Sequence, residues 1–154
     1  DDKGVVYISD LLGGGIYTYT NNTLSQWVSS ADLPHPNGLF FANNTLTVGT
    51  WGEGLKDDFT TEKLGSLYTI DRSNKRITPY KNAELIGNLD GVAATKNAFI
   101  ISDWMSGNIF KYENKKTSLL FNAGQFSADI AIKGKHLYVP MMFSKRIDTY
   151  TIGE

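Results

Sequence analysis

Apolar and polar residues along this chain fall into short runs, and the runs recur. Four segments share one pattern: Ile or Leu, then usually an aromatic residue, then a polar residue, then Tyr or Ile. They are IYTY at Ile16, LYTI at Leu67, IFKY at Ile109 and IDTY at Ile147. Each follows a second strand-like run, in turn VVYISD, TLTVGTW, AFIISDW and HLYVPMM. A third set, PNGLFFA, LDGVAAT and ADIAIK, precedes the last three of those runs. Weaker runs follow the first three signatures: LSQWV near Trp27, RITPY from Arg76 and TSLLF from Thr117. No stretch keeps a helical period over about 10 residues, so the chain reads as all-β.

The signatures at Ile16, Leu67, Ile109 and Ile147 are spaced by 51, 42 and 38 residues. A four-stranded unit repeating at roughly 40 to 50 residues is the mark of a β-propeller blade. A β-sandwich also gives short strands with regular turns. The propeller is preferred because the units repeat residue types as well as lengths, and because AFIIS is apolar on both faces, which suits a sheet covered on each side. With strands named A to D outward from the channel, the pieces are 1-34, 35-82, 83-125 and 126-154 of one partial propeller domain. The register opens on strand B and stops after strand C, which predicts three, four, four and three strands. Such a chain needs a missing propeller half or a second copy to close the ring, since open apolar edges invite aggregation.

Composition narrows the function classes. The net charge is −1 with no basic stripe, which argues against nucleic acid as a partner. No apolar run reaches the roughly 18–20 residues of a membrane span. The absence of cysteine removes disulfides, thiolate catalysis and cysteine-ligated zinc. The chain starts directly on a strand pattern, with no secretory leader. The Asn-, Thr- and Tyr-rich, cysteine-free composition leans toward an extracytoplasmic (periplasmic or secreted) setting. The NNT triplets at Asn21 and Asn43 fit a glycosylation sequon, which matters only in a eukaryotic secretory route. LGGGIY has three glycines but no Lys-Ser/Thr after them, so it is a turn and not a phosphate loop.

Antiparallel meanders decide which loops share a rim. The starts of A strands and the B-to-C loops lie together, and strand A lines the channel. Asn37, Asp90 and Asp129 hold the same place in three successive units; 14 residues separate Asn37 from Trp51, and 14 separate Asp90 from Trp104. Their oxygens are therefore expected at one channel mouth, where converging amide and carboxylate oxygens suit a hard divalent cation, Ca²⁺ first, with Mg²⁺, Mn²⁺ or Zn²⁺ as alternatives. Each alone also reads as a turn-capping residue. The second unit's B-to-C connection, from GEGLKDDFTTEK, is about 11 residues longer than its counterparts and falls on the same rim. It reads as a lid or specificity loop, or as an ornament whose acids (Glu53, Asp57, Asp58, Glu62) are simply solvated. Trp51, Trp104 and Met141 are candidates for an apolar pocket wall, against ordinary inter-blade packing. His35, beside Asn37, is a candidate for assisting proton transfer, against an incidental loop histidine.

LPHPNGLFF, LYTID, NLDGVAATKNAFIISDWMSGNIFKYE and SADIAIKGKHLYVPMMFSKRIDTYTI together resemble the SMP-30/gluconolactonase/LRE-like family. The resemblance covers essentially the whole chain but about the second half of a family member. It implies a six-bladed propeller and metal-dependent lactonase or esterase chemistry. It also implies that Asn37 is a metal ligand and that Asp90 is both a ligand and the proposed base. Leu89 stands where the family usually has Pro. Asp129 falls where some relatives carry a further polar site residue, and the family's N-terminal Glu ligand and its other Asn ligand have no counterpart. The expected function is hydrolysis of a lactone or similar small ester by the complete ring. The alternatives are a non-catalytic NHL-like binding propeller and an inactive fragment of a parent enzyme.

Overall fold

The computed structural model describes residues 1–153 and is built almost wholly of antiparallel strands. The first sheet contains β1 (Val6–Asp10), β2 (Gly15–Thr20) and β3 (Thr23–Ser29). β4 (Pro36–Ala42) and β5 (Thr45–Thr50) open the second sheet, and a small ribbon, β6 (Gly52–Glu53) with β7 (Lys63–Leu64), rises from its top. β8 (Leu67–Asp71) and β9 (Ile77–Pro79) complete it. The third sheet runs β10 (Leu89–Ala94), β11 (Phe99–Asp103), β12 (Asn108–Glu113) and β13 (Lys116–Asn122). The last holds β14 (Ala131–Lys133), β15 (His136–Met141) and β16 (Arg146–Thr151). Each of the four is a meander with its strands in chain order, three, four, four and three, which is the blade topology of a partial propeller.

The hydrophobic core lies between sheets, not within one. Ile16, Val28, Leu46, Val48 and Ile70 fill the space between the first two sheets. Leu67, Leu89, Val92, Ile101 and Tyr112 fill the second gap, and Ile100, Ile109, Ile130, Leu137 and Val139 fill the third. An inner strand must therefore be apolar on both faces. β11 obeys this, with every residue after Phe99 buried. Aromatic pairs seal the same gaps, Tyr7 stacked on Phe41 at 5.4 Å and Tyr80 edge-on to Tyr112 at 5.2 Å.

One rim is made of tight polar turns. The links Asn21-Asn22, Asn43-Asn44 and Asn114-Lys115 are two-residue hairpin loops, and all six residues have positive φ. That is the type I′ turn, whose twist matches the flanking strands and which Asn tolerates better than most residues. The two NNT triplets thus have a purely conformational explanation. No helix in the described residues is long and apolar enough to cross a membrane.

Candidate functional site

The opposite rim carries the channel mouth. Pro36 pairs with Thr50 and Leu39 with Val48, so β4 holds one residue more than β5 across Asn37-Gly38. Leu89 pairs with Asp103 and Val92 with Ile101, which places the same one-residue excess at Asp90-Gly91. In the last sheet the bridge Ser127–Met141 and the pair Ala131–Tyr138 enclose an equal excess around Asp129. A β-bulge bends its strand and re-aims a side chain. Three bulges at matched positions turn Asn37, Asp90 and Asp129 toward one another.

The glycines that follow explain how close the strands come. A Cβ on Gly38 would lie 2.1 Å from the Asp90 carbonyl oxygen, and one on Gly91 would lie 2.5 Å from the Ile130 nitrogen and 2.9 Å from the Asp129 Cα. Only a residue without a side chain permits such an approach. Pro-Asn-Gly and Leu-Asp-Gly therefore do two jobs: the glycine admits the next blade, and the residue before it is brought to that blade's own oxygen. Ser102 locks the second contact, accepting the Gly91 N–H at 2.8 Å and donating to the Ala128 carbonyl at 3.0 Å.

Asn37 Nδ2 donates to Asp90 Oδ1 at 3.2 Å. Burial pushes the Asp90 carboxyl up to about 6, the neighbouring Asp129 carboxylate adds repulsion, and the Asn37 hydrogen bond works the other way. Asp129, more open to solvent, is also raised by desolvation, against the Ile130 N–H that its Oδ1 accepts at 3.0 Å. The two carboxylates, Asp90 half-buried and Asp129 at the solvent edge, with one amide between the blades, gather negative charge at the mouth. Calcium takes six to eight oxygens, so these three residues would supply a minority of a full shell. Among the described residues no three His, Cys, Asp or Glu side chains gather on their own. The neighbouring Asp103 is buried but committed to its turn, accepting from the Met105 and Ser106 N–H groups and from the Ser106 hydroxyl.

His35 sits on this rim with φ of 51°. Its Nδ1–H donates to the Leu11 carbonyl at 2.7 Å, tying the second blade to the first, while its own carbonyl accepts the Trp51 N–H at 2.9 Å. Trp51 is buried and its Nε1–H donates to the Phe59 carbonyl at 2.8 Å. Trp104 takes the matching position, its N–H bonded to the Asn88 carbonyl. In the last blade that backbone bond is made by Met142, to Phe126. Met141 instead lies in the core beneath, because a one-residue step along a strand reverses the face.

The structure adds residues that spacing alone did not single out. The long loop brings Phe59 against Trp51 and Trp104, each at 6.1 Å, and Trp104 meets Phe126 at 4.6 Å. Phe143 completes the group at 4.7 Å from Phe126. Asn88 is buried and fastens this layer to the strand of Asp90, donating to the Trp51 carbonyl at 2.7 Å and the Thr61 hydroxyl at 2.9 Å. Of the loop's acids, Glu53 pairs with Lys63 at 2.7 Å and Asp58 caps Thr60, so these two support the loop itself. An Asn two residues before an Asp-Gly was the available signal for Asn88; loop aromatics gave none.

The fold is that of propeller proteins. Over 97% of its length the chain resembles the computationally designed Ika4 protein, with a TM-score of 0.60 at 11% identity, covering 86% of that chain. It matches a streptogramin B lyase over 99% of its length, with a TM-score of 0.67 at 10% identity, and virginiamycin B lyase from Staphylococcus aureus with 0.61 at 13%. The chain spans 52% and 53% of those two lyases, about half of each. No family model and no curated protein matches the sequence. At these identities the likeness defines a β-propeller and nothing finer.

Proposed function

We propose that this chain forms part of a metal-dependent hydrolase of the SMP-30/gluconolactonase type, acting on a lactone or similar ester at the channel mouth. The observation that supports the reading most is the placement of Asn37, Asp90 and Asp129 on three equivalent bulges, with Asn37 bonded to a half-buried Asp90 and the Asp129 carboxylate beside it. Crowded anions raise their own proton affinity, and a divalent cation relieves the crowding. Calcium suits this oxygen-only donor set, with the remaining positions left to water, substrate or residues outside this chain. When bound, such an ion polarises a carbonyl and stabilises the negative charge that develops on its oxygen.

Asp90 is the base. Without an ion its carboxyl is pushed up to about 6 by burial, and a cation held beside it would draw it back down, so at neutral pH it is ionised and free to accept a proton from water. It removes a proton from water as the water oxygen bonds to the carbonyl carbon. The ring C–O bond then breaks, and the leaving alkoxide recovers that proton to give the hydroxy acid. Asn37 holds Asp90 in place through Nδ2, and Asp129 adds negative charge that keeps Asp90 basic.

Calcium titration by calorimetry tests the reading. One ion per chain is expected at about 10⁻⁴–10⁻³ M, because few ligands come from the protein. Binding tightens from about pH 5 to pH 8 as the carboxylates lose their protons. Asp90→Asn weakens it at least about tenfold and abolishes turnover of a lactone panel by the closed ring. Calcium affinity and turnover unaltered by that substitution would overturn the assignment.

A further inference from the structure

Exposed large apolar side chains are distributed unevenly. Leu12, Phe59, Leu85, Met142 and Phe143 lie in connections of the channel-mouth rim, and Leu64 in the small β6–β7 ribbon that rises from it. The remaining ones are on strands, and none sits in the hairpin turns of the other rim. On the mouth rim the rings of Phe59, Trp104, Phe126 and Phe143 touch in sequence across three blades, at 6.1, 4.6 and 4.7 Å. Phe143 is 65% exposed and Phe59 42% exposed, so the shelf has open ring faces. Packing of blades does not require these open faces, since the gaps beneath are already filled by other buried apolar residues.

The shelf is fastened to the carboxylates. Asn88 stands two residues before Asp90, its side chain holds Trp51 and Thr61 of the long loop, and its carbonyl holds the Trp104 N–H. Phe59 keeps a left-handed backbone, φ 66°, and its carbonyl is taken by Trp51. An L residue in that conformation is uncommon and is retained where surrounding contacts enforce it. The loop is thus built to set one aromatic ring beside Trp104.

We infer that the aromatic shelf Phe59–Trp104–Phe126–Phe143 binds an apolar arm, alkyl or aryl, of the molecule whose polar end meets Asp90 and Asp129. The substrate class is accordingly a lactone or ester with a medium-chain or aromatic substituent, and polyhydroxylated sugar lactones are poor ligands. Hydroxyls laid on open ring faces lose water hydrogen bonds without replacement, whereas each buried methylene adds about 0.8 kcal/mol. This substrate class rests on the hydrolase reading above. The binding surface itself does not, and the experiment separates the two.

Calorimetric titration of the 154-residue chain uses three probes: γ-nonalactone, 1-nonanol, which has the chain but no carbonyl, and gluconolactone. Each is run with calcium and with chelator. γ-Nonalactone is expected to bind at least about tenfold tighter than gluconolactone in both media, with nonanol close behind. Phe143→Ala and Phe59→Ala each weaken γ-nonalactone about tenfold, with far-UV circular dichroism unchanged because both rings are exposed. Phosphatidylcholine–phosphatidylglycerol vesicles form a last arm. Equal affinity for the two lactones, no binding of any probe, or binding to vesicles alone with Phe143→Ala silent would each overturn the inference. Apolar binding that persists in chelator while the closed ring turns over no lactone would retain the shelf and remove the hydrolase.

Discussion

The two rims are made by the same strands and share almost no chemistry. Several far-rim hairpins close in two residues, with Asn-Asn and Asn-Lys turns that suit local conformational preference, while the links at 72–76 and 95–98 are longer. The mouth rim is made of bulges, a 12-residue-scale loop and glycines pressed against neighbouring backbone. Its parts hold one another across blades: His35 on Leu11, Asn88 on Trp51, Ser102 on Ala128. The short far-rim turns are set largely by local conformation, with a few contacts such as Asn44 to Ser73; the mouth rim is set by contacts between blades, and it is where the carboxylates of Asp90 and Asp129 and the open aromatic rings collect. Substitutions of like kind on the two rims should therefore differ in effect.

The largest contrast is between two glycines. Gly38→Ala places a methyl where the Asp90 carbonyl already is, and only backbone movement relieves it. We expect a loss of about 3 kcal/mol or more in urea unfolding, together with loss of calcium binding. Gly134, in a far-rim turn, has φ of 59° and nothing within 4 Å of a new Cβ. Gly134→Ala then carries only the left-handed backbone penalty, about 1 kcal/mol. Equal losses would mean that the close approach of the inner strands is not a tight constraint.

The second contrast is in pH. Asp90 titrates near 6 when folded and near the ordinary carboxyl value when unfolded, so between these values the folded state holds more protons. Stability is greatest below the lower value and declines as pH rises through about 6. At neutral pH the ionised, partly buried carboxylate destabilises the fold by about 2 kcal/mol after allowance for solvent screening. Asp90→Asn should recover about that amount at pH 7 and flatten the profile, and saturating calcium should do the same for the wild type. A wild-type profile that rises from pH 4 to 6 would contradict the burial of Asp90 beside the Asp129 carboxylate.

Asn88→Ala comes next. It strips the Trp51 carbonyl and Thr61 hydroxyl of their donor while leaving the strand intact, with an expected loss of about 1.5 kcal/mol. The informative readout is local. Amide exchange should quicken in residues 52–64 and leave the β10–β11 amides protected. Uniform quickening through the sheet would show that Asn88 supports the blade and not the loop.

These differences also mark what the sequence made legible. The blade meander was readable because inter-blade burial imposes double-faced apolar runs on β5 and β11, and each repeat restates the Ile-aromatic signature. The common rim of Asn37, Asp90 and Asp129 was readable from matched spacing, while their roles rest on the resemblance and remain proposals. What spacing could not supply was the cause of their meeting, since a bulge is a mismatch between two strands and is invisible in either one. The aromatic shelf was hidden for a related reason: Phe59 reaches Trp104 only through the β6–β7 ribbon. Met141 drew attention as a strand end, but the alternation of faces sends it into the core and leaves Met142 at the rim.

The smallest expected effect is the one that most directly isolates the far rim. Asn44 has φ of 61°, and its side chain donates to the Ser73 hydroxyl at 2.9 Å in an exposed setting. Asn44→Gly removes that bond, worth little where water competes, and relieves the positive φ, which glycine adopts without steric penalty. Against this, glycine gives the unfolded chain more freedom to lose. The opposing contributions are each below about 1 kcal/mol, and the net change in unfolding free energy should lie within about 0.3 kcal/mol of zero. Calcium and γ-nonalactone affinities should not move at all. A far-rim turn whose alteration reached the mouth would mean that the blades transmit strain along their strands, and the independence of the two rims would fail.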